Sequence, residues 1–120
     1  MTLQECYAAL GGDYDDALGR LRSEKLGNKF VRRFLDDKSY DLLCTSMEAK
    51  NYEEAFRAAH TIKGVCSNLA FTVLGKSSSE LSEALRYGYT PQADALAEQV
   101  KEEYRQTVAA IRAYQEAAGG

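Results

Sequence analysis

After Thr90-Pro91, core-type residues recur three and four apart: Leu96, Val100, Tyr104, Thr107, Val108, Ile111 and Tyr114. A strand would alternate with period two, so this spacing marks one face of a helix. Proline suits the first helical position, where its missing N–H costs nothing. The same three-and-four spacing fills most of the remaining chain. Pro91 is the only proline, and alanine, leucine, glutamate, lysine and arginine outweigh valine and isoleucine. That balance favours helix throughout.

The punctuation divides the chain into helices. Thr2 caps a short one carrying Leu3, Cys6, Tyr7 and Leu10, and Gly11-Gly12 ends it. Asp13 opens a second, with Tyr14, Ala17, Leu18 and Leu21 on one face. Ser23 starts a third, with Leu26, Phe30, Val31, Phe34 and Leu35, broken at Asp36-Asp37-Lys38. Ser39 is expected to cap the next, bearing Tyr40, Leu43 and Met47. Asn51 and Glu54 read as a capping box opening a helix that runs to about Leu69. Leu74, Ser78, Leu81 and Leu85 form the inner face of a further helix closed by Gly88, and Gly119-Gly120 reads as a frayed tail.

Short connections force successive helices antiparallel. The expected fold is all-α: an up-down antiparallel four-helix bundle from segments 39–49, 52–69, 72–87 and 91–117. The 24–36 helix covers one end, and residues 1–22 form an extension packed on the bundle or on that helix. At 120 residues the chain is expected to be a single domain, residues 1–120.

Other classes are disfavoured. A net charge of −3 argues against nucleic-acid binding. No run of 18 apolar residues suggests a membrane span. The start Met1-Thr2-Leu3-Gln4-Glu5 has neither the basic nor the apolar region of a secretory signal. Cys6, Cys44 and Cys66 are odd in number and widely spaced, and read as buried reduced thiols of a cytoplasmic protein.

The candidate site is His60, the chain's only histidine, in Ala59-His60-Thr61-Ile62-Lys63-Gly64. The buried stripe of this helix passes through Ala55, Ala59, Ile62, Cys66 and Leu69. At about 100° per residue, His60 points roughly 140° away from it, toward solvent. Phe56, Lys63, Gly64 and Ser67 share that side. Gly64 costs the helix about 1 kcal/mol relative to alanine, which suggests that something must approach closely there. An anion on the imidazole would gain from Lys63. At roughly 5 Å the gain is about 0.8 kcal/mol per negative charge in water, and about 3 kcal/mol at an effective dielectric of 20. A phosphoryl group carries close to two such charges.

The run Ala59-His60-Thr61-Ile62-Lys63-Gly64, followed by Ser67-Asn68-Leu69 and Leu74, resembles the signature of histidine-containing phosphotransfer (HPt) domains. The resemblance covers roughly residues 25 to 117. It includes the Phe-rich helix upstream and the Asn51-Tyr52-Glu53 entry. The family carries glycine where Ala70 stands, at the position that ends the histidine helix. The resemblance implies a phosphorelay intermediate with His60 as phosphoacceptor and Lys63 offsetting the charge of the bound group. Gly64 and Ser67 would keep the patch open. The implied partners are a response-regulator receiver domain, a hybrid sensor histidine kinase, or both, docking on Phe56 and on the 72–87 helix with Lys76. No cofactor is implied on this chain; the magnesium belongs to the receiver. The chain lacks the nucleotide-binding motifs of a histidine kinase, so no ATP-dependent kinase activity of its own is expected. Monomer is the default state.

Three alternatives stand beside this reading. A non-catalytic adaptor bundle explains the fold but not the grouping of His60, Lys63 and Gly64. A metal site could draw on His60 and Glu53 but lacks a second histidine. A redox thiol protein lacks Cys-x-x-Cys, and Cys66 falls on the buried stripe.

Overall fold

The computed structural model describes residues 1–117; the Gly119-Gly120 tail lies outside the described residues. Among the described residues seven helices follow one another: α1 Leu3–Leu10, α2 Tyr14–Leu21, α3 Glu24–Phe34, α4 Ser39–Glu48, α5 Tyr52–Leu69, α6 Thr72–Leu85 and α7 Pro91–Ala117. The described residues contain no strand.

Helices α4 to α7 form the antiparallel bundle. Two contacts fix the pairing of α5 with α6: Gly75 lies against Cys66, and the Arg86 guanidinium sits 5.7 Å from the Phe56 ring centre. Position rises along one helix as it falls along the other. The α4 and α7 helices close the ring through Tyr40 and Tyr104, stacked at 3.8 Å and 5°. Leu43, Ile62, Leu69, Leu74, Leu81, Leu85, Val100 and Ile111 are buried between the helices, each side chain contributing about 1.5–3 kcal/mol by leaving water.

At 27 residues, α7 spans about 40 Å and outruns its neighbours. The N-terminal helices pack on its overhang. The Cys6 thiol donates to Ala110 O at 3.6 Å, and Asn28 and Tyr114 are hydrogen-bonded. Phe34 of α3 packs on Phe71 at 5.2 Å and on Tyr104 at 5.7 Å, covering the bundle end that carries the α5–α6 turn.

Several local expectations need correction. Ser39 is the first helical residue rather than a cap; the preceding turn is held by Asp37, whose Oδ1 accepts from Ser39 N at 2.8 Å. Only half of the Asn51–Glu54 capping box forms. Asn51 Oδ1 accepts from Glu54 N at 3.3 Å, but the Glu54 carboxylate goes to Arg57 instead. Leu26 is exposed, because α3 turns Gly27, Val31 and Phe34 inward. Cys44 is half-buried rather than buried, since it borders a groove between α4 and α7.

Candidate functional site

Eighteen residues of α5 set the site. Ala55, Ala59, Ile62, Cys66 and Leu69 are all buried, which anchors the helix by the stripe the sequence displays. His60 is exposed on the other side. Its ring stacks on Phe56, with centres 6.0 Å apart and planes at 21°. Phe56 is half-buried between that imidazole and the Arg86 guanidinium. The contact steadies the imidazole while leaving its outer edge to solvent.

Gly64 stands one turn along. A Cβ built there meets nothing within 4 Å, so close helix packing does not explain the glycine. The space it leaves opens directly to solvent beside His60. Lys63 is half-buried at the side of that space. Lys63 and Ser67 line a groove of about 300 Å³ between α5 and α6 that also touches Asp16, Arg20, Gly75 and Ser79. Lys76 is exposed on α6, and no hydrogen bond or ion pair among the described residues joins it to His60.

Two further groups flank the imidazole. Arg86 grips Glu83 with both arms, Nη2 to Oε1 at 2.6 Å and Nε to Oε2 at 3.2 Å. These Arg86 hydrogen bonds are the main reason the Glu83 carboxyl lies below its usual range. The positive charges of Arg86 and then Lys63 push the same way. Glu83 therefore lies near Lys63 and His60, across the boundary between α5 and α6. The Glu83–Arg86 spacing of three is visible in the sequence as a helical ion pair. Its place opposite His60 depends on how α6 docks. Glu53 is held by Arg57 Nη2 at 2.8 Å, an internal pair of α5.

The arrangement is an accessible imidazole beside an ammonium and an unfilled volume, on a rigid helix with no enclosing pocket. It suits attack on a group presented by another macromolecule. A model of the Hpt domain family matches residues 29–113. The chain belongs to the Hpt domain family. Membership assigns it a histidine phosphotransfer role in phosphorelay, in which Hpt domains interact with receiver domains and kinases. No curated protein and no solved structure matched the chain. The Hpt match begins within α3 and stops short of the end of α7, leaving α1 and α2 outside it. No helix is long and apolar enough to cross a membrane among the described residues.

Proposed function

We propose that this Hpt chain is a phosphorelay intermediate in two-component signalling, with His60 as phosphoacceptor and a receiver-domain phospho-aspartate as donor. The observation that carries it is the exposed His60 ring beside Lys63 with open space over Gly64.

The imidazole attacks through Nε2. Its lone pair forms the P–N bond as the P–O bond to the aspartyl carboxyl breaks. The bonding electrons leave with the carboxylate, and the proton on Nδ1 stays with the ring. The reverse sequence delivers the group to an aspartate of a second receiver. Lys63 offsets the charge of the phosphoryl oxygens, Gly64 leaves them room, and Ser67 donates a hydrogen bond from the groove. Phosphoryl transfer depends on positioning and charge neutralisation, so the remaining machinery, including magnesium, sits on the receiver. A response-regulator receiver, alone or within a hybrid sensor kinase, docks over Phe56 and the adjoining face of α6, with Lys76 at the edge. Residues 1–120 act as one monomeric cytoplasmic unit, of which 1–22 are an extension to the minimal bundle.

The test mixes the protein with phosphorylated receiver domains and follows acid-labile label. Wild type takes the label and His60→Gln takes none. Label retained by His60→Gln would move the acceptor to another residue.

A further inference from the structure

The α2 helix lies outside the Hpt match, yet it forms one wall of the groove that Lys63 and Ser67 share. It is anchored at the turn ending α5: Asp13 N donates to Ala70 O at 2.9 Å, and Val73 N donates to Gly11 O at 3.0 Å. Ala17 seats the helix in the core, 3% exposed. From this wall Arg20 reaches the groove. It also borders the neighbouring hollow of about 350 Å³ where Phe30, Arg33, Val65 and Asn68 meet.

The guanidinium is held in an informative way. Asp16 takes only its Nε, at 3.0 Å, one turn back on the same helix. Arg57, Arg86 and Arg105 each give terminal nitrogens to glutamates. Both terminal nitrogens of Arg20 have no hydrogen-bond partner among the described residues, and half of its side chain is exposed. A guanidinium pinned by its inner nitrogen, with its terminal fork unspent, is preorganised to take a carboxylate through two parallel bonds.

We propose that Arg20 is a specificity-determining residue for the receiver partner, accepting an acidic side chain that borders the receiver's phospho-aspartate. The inference rests on His60 being the phosphoacceptor. A donor that brings its phospho-aspartate to Nε2 must spread over Gly64, Lys63 and Ser67. The groove, and Arg20 on its far wall, then fall beneath the same footprint. Lys63 serves the transferred group, whereas Arg20 serves the protein that carries it, so only docking should depend on Arg20.

The experiment compares two donors: a phosphorylated receiver that labels the wild type, and phosphoramidate, which has no protein surface to dock. Arg20→Ala should raise KM for the receiver about tenfold, with kcat within about twofold, because a lost interfacial charge contact weakens the encounter. Arg20→Glu should do more, and Arg20→Lys should recover part of the loss. Labelling by phosphoramidate should not change in any of them. The Asp16 pair is exposed, so all three variants should fold, which thermal melting verifies. Unchanged receiver KM in both Arg20→Ala and Arg20→Glu overturns the role of Arg20 alone. Equal slowing with phosphoramidate also overturns it, by placing Arg20 at the phosphoryl group or in the fold. A wild type that no receiver labels at His60 overturns the underlying phosphotransfer reading instead.

Discussion

The Tyr7 hydroxyl donates to the Leu69 carbonyl oxygen at 2.7 Å, across 62 positions of sequence. Leu69 is the last residue of the histidine helix, and its carbonyl has no partner within that helix. The next residue, Ala70, stands in the left-handed region at φ 56, a conformation that favours glycine. A Cβ there is strained by about 1–2 kcal/mol. Tyr7, Gly11 and Asp13 all bond to this turn or the residues beside it. The extension thus latches a turn that a glycine would ease.

Breaking the latch should destabilise the fold without touching the imidazole. Tyr7→Phe should cost about 1–2 kcal/mol by leaving a buried carbonyl unpaired. Gly12→Ala should cost about 1–3 kcal/mol, since its Cβ would lie 2.8 Å from Ala70 O and 2.7 Å from the Tyr7 ring. Denaturant unfolding measures both; wild-type midpoints would remove the latch from the account.

Gly64→Ala should move stability and activity in opposite directions. The added methyl meets nothing, so the helix gains up to about 1 kcal/mol. The same methyl enters the volume proposed for the phosphoryl group, so transfer to His60 should slow. Melting curves and transfer rates on one preparation settle the matter. A faster or unchanged rate would show that the open space is incidental.

Arg86 should protect the site from its own carboxylate. In Arg86→Ala, Glu83 loses its partner and repels the incoming anion, so transfer should slow severalfold. Adding Glu83→Gln should restore the rate, and Glu83→Gln alone should leave it no slower than wild type. A double variant as slow as Arg86→Ala would assign the loss to the contact between Arg86 and Phe56 instead.

Burial pushes the Cys66 thiol up to about 12 and the Cys6 thiol up to about 11, whereas an unfolded thiol titrates near 8.5. Between these values the unfolded state binds fewer protons than the native one. Stability from both groups is intact below about pH 8.5 and declines as pH rises toward 11–12. Urea midpoints from pH 7.5 to 10 should fall, and less so in a Cys6→Ala, Cys66→Ala variant. At pH 8 in the native state, alkylation should reach half-buried Cys44 well before the other two. Early labelling of Cys66 would contradict its placement on the core stripe.

What could be read from the sequence followed from range of interaction. The exposure of His60 and the burial of Ala59 and Ile62 depend only on angles within one helix, so spacing revealed them. Helix starts at Thr2, Asp13, Ser23 and Asn51 were equally local, and each side chain does accept a backbone N–H. Ser39 misled because Asp37 does that work from the turn before it. Leu26 misled because its neighbour Gly27 is what α1 accepts, with Leu3 close against it. Arg20 and Glu83 carry no site signal in the sequence. Their nearness to Lys63 is set by docking of α2 and α6, which no spacing along the chain encodes.

The most direct measurement is site mapping of the transferred group. Wild-type protein is incubated with a phosphorylated receiver, kept at alkaline pH to preserve phosphohistidine, digested, and sequenced by tandem mass spectrometry. The account predicts one added phosphoryl group, on the peptide containing His60 and on His60 itself. Phosphate on a serine, an aspartate or no residue of this chain would contradict it.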